Sequence, residues 1–168
     1  MIKIKASRSA KGTINNFNPR RAVMMSYQET LTAQHRSCDA DFAGIERAVH
    51  RKDWAAAAQG AESFLAQTET HFRLEEEILF PALEAASPMA SAPVSVMRME
   101  HAQMRELFGE LRAAIGKRDS TLFNDVVETL LLLMQQHNMK EENVLYPMAD
   151  QSLAEGLLER SEAFTEAN

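Results

Sequence analysis

The chain has 168 residues, 45% of them apolar, enough for one well-buried domain and short for two. Its formal charge is −6 and unevenly spread: residues 1–23 hold six basic side chains (Lys3, Lys5, Arg8, Lys11, Arg20 and Arg21) and no acid, leaving twelve basic residues against 24 acidic ones in the remainder. So acidic a body argues against a nucleic-acid partner, the single cysteine (Cys38) excludes an internal disulfide and a Cys-rich zinc pattern, and no apolar run approaches the ~18 residues of a membrane span.

Residues 1–23 lack the apolar core of a secretory signal, and "GTINNFNPRR" makes a poor amphipathic helix. A flexible or docked basic arm is expected there, on a cytoplasmic protein. From residue 24 the pattern turns helical. Leu31, His35, Cys38, Phe42, Ile45 and Val49 recur at alternating steps of 4 and 3. Ala57, Ala61, Phe64, Thr68, His71, Glu75 and Ile78 repeat the rhythm in a second segment. Met97, His101, Met104, Phe108, Leu111 and Ile115 give a third. Phe123, Val127, Leu130, Met134, His137, Glu141 and Val144 give a fourth. Such seams belong to helices packed along their neighbours, and four of them predict an all-α, antiparallel up-down-up-down four-helix bundle over residues 24–150.

The breaks fit this reading. Asp53 in "RKDW" and Asp119 in "KRDS" are good N-caps after basic helix ends. Two prolines in "ASPMASAP" (86–93) rule out an uninterrupted helix between the second and third segments. After Pro147, "SLAEGLLERSEAF" predicts a short fifth helix within the tail 151–168, docked on the bundle.

The sequence also repeats itself. His35 and His101, His71 and His137, Glu75 and Glu141, Pro81 and Pro147, Phe42 and Phe108, and Asp53 and Asp119 are all offset by 66. Two copies of one helical hairpin account for this. The copies are plainest in "HFRLEEEILFP" (71–81) and "HNMKEENVLYP" (137–147), each closing on an aromatic residue and a proline that reads as a stop. His35 and His71 average to position 53, and His101 and His137 to 119, the two hairpin turns. Each pair therefore stands at one height, roughly 27 Å from its turn at the helical rise. Glu75 and Glu141 lie one turn beyond a histidine on the same face. His35, His71, Glu75, His101, His137 and Glu141 thus project into one slab of the core.

A single histidine on an apolar seam is usually a hydrogen-bonded core residue. Two glutamates in the same seam change the balance, because a buried carboxylate without a partner costs several kcal/mol. A charged network among the six is rarely worth its desolvation; a shared cation accounts for them better. Imidazole with carboxylate suits iron, manganese or zinc. Six donors exceed one tetrahedral zinc and suit two adjacent ions, sharing the glutamates and keeping positions open for a small molecule. No nucleophile–base pair or phosphate loop is present, so hydrolase and kinase chemistry is not expected.

These two His-x-x-x-Glu segments, with His35 and His101 upstream, resemble the hemerythrin-like HHE cation-binding domain over roughly residues 24–150. The resemblance implies a non-haem diiron centre with Glu75 and Glu141 as bridging carboxylates and the four histidines as terminal ligands. It implies binding of O2 or NO for storage, delivery or sensing. The alternatives it leaves are a diiron redox enzyme or iron donor in oxidative or nitrosative stress and iron–sulfur cluster repair, and a bundle holding zinc or manganese structurally. The cluster-repair members carry a cysteine-containing N-terminal region, and residues 1–23 hold no cysteine. Oxygen carriers have another histidine one turn after the third-helix ligand; here that position is Arg105.

Around the slab, the fifth histidine, His50, lies about 22 Å along its helix from His35 and belongs on the surface. Asp39, at the repeat position of Arg105, is expected to pair with it or to lie on the surface, with an added ligand as the alternative. Cys38 reads as a small core residue, with a redox-sensing thiol as the alternative. Glu76 and Glu142 turn off the seam, either to accept from a ligand imidazole or to face solvent. Phe80 and Tyr146 are expected to plug the bundle beyond the metals.

Overall fold

In the computed structural model, which describes residues 25–154 and 156–158, every regular element is helical and there is no strand among the described residues. Helix α1 is Tyr27–His50, α2 Trp54–Leu74, α3 Phe80–Ala86, α4 Ser91–Lys117, α5 Ser120–Lys140 and α6 Tyr146–Ser152. Helices α2 and α3 run into one another through a π turn, Glu75–Leu79, as α5 and α6 do through Glu141–Leu145. The result is four rods forming a four-helix bundle. The arm 1–23 and the end of the tail, 159–168, lie outside the described residues.

Capping fixes where the rods begin. Ser26 and Glu29 form a reciprocal capping box at the start of α1. Asp53 accepts from Ala56 N–H, and Asp119 from Thr121 and Leu122 N–H, each using a free donor of the helix start. Between the rods, Lys52 and Arg118 adopt left-handed φ values of 57° and 55°. Asp53 N–H then reaches back to Ala48 O and Asp119 N–H to Ala114 O, tying off the preceding helix ends. The two turns are 66 residues apart and use the same bonds.

The seams are buried up to the glutamates and then change phase. In each π turn the amide five residues on, Phe80 or Tyr146, bonds the glutamate carbonyl, which adds one residue to that turn. The expectation that Ile78 and Val144 would follow Glu75 and Glu141 inward is therefore corrected. Val144 is exposed and Ile78 only half-buried, while Leu79, Phe80, Leu145 and Tyr146 are fully buried. Nor do Pro81 and Pro147 stop the helices, which continue to Ala86 and Ser152. A proline lacks an amide to donate and crowds the carbonyl four residues back; each falls just after the widened turn. The break before α4 comes at Ser87, in extended conformation, and Pro93 sits in the first turn of α4.

Two apolar clusters result. One, around Phe42, Phe64, Phe108, Leu111 and Phe123, fills the end near the hairpin turns. The other, around Leu31, Leu79, Phe80, Leu83 and Met97, fills the opposite end. Burying each such side chain contributes about 1.5–3 kcal/mol. The far cluster is closed where α1 meets α6: Tyr27 N–H donates to Asp150 Oδ1 at 2.7 Å and its hydroxyl to Ala154 O at 2.6 Å. Of the expected fifth helix the described residues include a helical turn at 157–158, whose Leu158 packs into this cluster, and the rest lies outside them.

Because Lys52 and Arg118 hold a backbone conformation that disfavours a Cβ, Lys52→Gly and Arg118→Gly are each expected to raise the unfolding free energy by about 0.5–1 kcal/mol. Urea melts at equal m-value check it; a loss of stability in both would contradict the left-handed turns.

Candidate metal centre

Between the two apolar clusters lies a polar layer. His35 from α1, His71 from α2, His101 from α4 and His137 from α5 meet Glu75 and Glu141 from the two π turns, and all six are buried. The ordinary helical turns from His71 to Glu75 and from His137 to Glu141 bring both carboxylates to the level of the rings, and the π turns that follow bring the next aromatic residue over the same face.

The histidines form two pairs. His35 Nε2 lies 3.1 Å from His71 Nε2, and His101 Nε2 lies 3.1 Å from His137 Nε2. Each carboxylate spans from one pair to the other. Glu75 Oε2 is 3.5 Å from His71 Nε2 and 3.4 Å from His101 Nε2. Glu141 Oε2 is 3.3 Å from His35 Nε2, and its Oε1 3.0 Å from His137 Nε2.

The group behind each ring decides where its hydrogen is. The Nδ1 of His35 faces Glu142 Oε1 at 2.8 Å, that of His71 faces Gln34 Oε1 at 2.8 Å, that of His101 faces Glu76 Oε1 at 2.8 Å, and that of His137 faces Glu100 Oε2 at 3.0 Å. All four partners are acceptors, so each neutral ring carries its hydrogen on Nδ1 and turns a bare Nε2 inward. The inward set is then four nitrogen lone pairs and two carboxylates. Among these buried atoms Glu75 Oε2 and Glu141 Oε1 have no hydrogen-bond partner. For Glu141 the 3.0 Å approach of His137 is close enough for a bond, but the hydrogen of that ring is committed to Glu100.

The electrostatics agree. Burial pushes His71 down to about 3, helped by the neighbouring His35. Burial, and then the charge of Glu141, pushes Glu75 up to about 8. Burial alone would also raise Glu141, yet His137 and His35 beside it hold it well below the usual carboxylate range. Burial would lower His137, but Glu141 and Glu100 outweigh it and the net shift is upward. The repulsion between the two buried carboxylates is what a cation between them would relieve.

The surroundings are more elaborate than the seam pattern suggests. Glu76 and Glu142 are the acceptors for His101 and His35, the first of the two roles expected for them. Gln34 and Glu100, which lie off the seam and were not expected, do the same for His71 and His137; each directly precedes a site histidine, and that adjacency, repeated at 66, was the available signal. Lys140 in turn pairs with Glu100. Phe72 stacks on His101 with ring centres 3.8 Å apart. Tyr146 is not merely a plug: its hydroxyl enters the layer and reaches Glu75, Glu141 and His35.

Arg105 does not meet Asp39. Its guanidinium pairs with Glu69 and Glu76 and covers the face of Phe72, so it braces the carboxylate that holds His101. Asp39 is exposed on α1, beside the groove between α1 and α5. His50 is exposed near the turn end, away from the layer. Cys38 is buried one turn from His35, receives a hydrogen bond from Thr68, and burial raises its thiol. With Gln34 and His71 it lines a cleft of ≈ 500 Å3 between α1 and α2.

Two donor groups stand out by chemistry and closeness: Glu75, His101, His137 and Glu141, and His35, His71 and Glu141, with donor atoms within 4.8 Å of one another in each. No described helix is long and apolar enough to cross a membrane. No curated protein and no solved structure matches the chain. The family model of the hemerythrin HHE cation-binding domain, however, matches residues 27–149, which takes in the whole polar layer and both π turns. The chain belongs to the hemerythrin HHE cation-binding domain family.

Proposed function

We propose that the layer holds two iron ions and presents them to a small exogenous ligand, O2 or NO, for storage, delivery or sensing in the cytoplasm. The observation that carries this is the inward set itself: four Nε2 lone pairs and two carboxylates, two of whose oxygens are unpartnered, with every ring hydrogen spent on the outside. Such a set fits a cation, and its nitrogen and oxygen donors fit iron. His35 and His71 would hold one ion and His101 and His137 the other. Glu75 and Glu141 each touch both histidine pairs, which suits carboxylates shared between two ions. When bound, the pair of ions supplies reversible ligation of a diatomic molecule. The protein positions the donors, excludes bulk water and keeps each imidazole in one tautomer. The repeat of turns, caps and site residues at 66 supports an antiparallel up-down-up-down bundle made by duplicating one hairpin.

Elemental analysis of protein from iron-replete cells is expected to find about two irons per chain, with visible bands altered by O2 or NO. Zinc alone, or no metal in a colourless protein of equal stability, would overturn the reading. Glu75→Ala and His137→Ala are expected to lose metal and stability together, whereas His50→Ala retains wild-type metal content; equal loss in His50→Ala would contradict the placement of the site. Replacing an acceptor behind a ring, Glu142→Ala or Glu76→Ala, is expected to weaken metal affinity by about 10–100-fold while leaving the fold intact, as read by competition with a chelator. Acidification releases the metal, because protons compete for the same lone pairs; retention of full metal content well below the pH at which free histidine protonates would argue against imidazole ligation.

A further inference from the structure

The two halves of the layer are not equivalent. Both carboxylates reach each half, so the difference lies in another residue. Close to the His35–His71 pair the 66-residue repeat is broken: Phe80 of the first segment is matched by Tyr146 of the second. The Phe80 ring stays 5.8 Å from the ring of His101 and offers it no polar atom. Tyr146 is fully buried, and its oxygen lies 3.0 Å from His35 Nε2, 2.8 Å from Glu75 Oε1 and 2.9 Å from Glu141 Oε2.

A phenol has one hydrogen. It can serve one of these three acceptors well and leaves its oxygen set against the others. The oxygen is therefore arranged as the carboxylates and the Nε2 atoms are, turned toward the same centre. Local structure explains how it gets there. The π turn Glu141–Leu145 closes on Tyr146, whose amide bonds the carbonyl of Glu141, so side chains five apart share one face.

Building on the metal reading above, we infer that Tyr146 Oη is a seventh ligand, bound as phenolate to the ion of the His35–His71 half. It gives that half an oxygen donor that the Phe80 ring cannot give the other. Loading replaces the hydroxyl hydrogen by the ion, and the proton is released to solvent, as ligand protons are on metal binding. A phenolate is a hard anionic oxygen, matched to ferric iron.

The test uses iron(III) alone as the probe. Wild type, Tyr146→Phe and Tyr27→Phe are loaded, their iron content is measured, and visible and resonance Raman spectra are recorded. The chain has two tyrosines, and the hydroxyl of Tyr27 donates to the Ala154 carbonyl, outside the layer. Wild type and Tyr27→Phe are expected to show a phenolate-to-iron charge-transfer band with enhanced phenolate ring modes. Tyr146→Phe is expected to lose both, whatever iron it retains. Ring-deuterated tyrosine gives the assignment without a substitution at the site: the modes shift in wild type and in Tyr27→Phe alike. Iron-loaded wild type lacking these features, or Tyr146→Phe retaining them, would overturn this inference and leave the two-ion reading standing. Wild type that takes up no iron would overturn both.

Discussion

Imidazole nitrogens and carboxylate oxygens facing one another at 3.0–3.5 Å across a buried layer repel unless something positive lies among them. Hydrocarbon on both sides keeps water from relieving the repulsion. Leaving such groups buried and unpaired costs several kcal/mol in a protein interior. The bundle accepts this conflict at one level only, and everything around that level serves to aim the acceptors. The apolar clusters fix the heights of the four rods, the helical turns after His71 and His137 place the two carboxylates, and the acceptors behind the rings fix their tautomers.

Those acceptors also show how the two halves of the chain depend on one another. Gln34 and Glu100 each serve a histidine of their own hairpin, His71 and His137. Glu76 and Glu142 cross over: the first-half carboxylate orients His101 and the second-half carboxylate orients His35. The symmetry is imperfect where chemistry differs. Glu100 carries charge and a lysine partner where Gln34 carries neither, and Arg105 braces Glu76 from α4. Arg105 thereby supports the carboxylate that orients His101.

The layer was legible in the sequence because placing six residues at one height needs only the helical rise and the positions of the turns. The path of the chain beyond each glutamate was not legible. The runs Ile78–Leu79–Phe80 and Val144–Leu145–Tyr146 are apolar throughout, so a one-residue change of phase leaves no mark on the pattern. That same change carries the Tyr146 hydroxyl into the site, which an aromatic residue before a proline does not announce. Pairing Arg105 with Asp39 failed for a different reason. Asp39 is exposed on α1 beside the groove toward α5, out of reach of Arg105 on α4. Arg105 instead finds Glu69 of α2 and Glu76 of the π turn that follows it.

The crossing of Glu76 and Glu142 bears on the history of such a bundle. A lone hairpin holding His, His and Glu at one level still lacks the carboxylate that orients its first histidine, because that group is supplied from the other hairpin. If the 66-residue repeat records a duplication, the ancestral half-length chain met this need only by pairing with a second copy of itself. In such a pair the two-fold axis would run through the polar layer, and a cation held there would join two subunits rather than two segments of one chain.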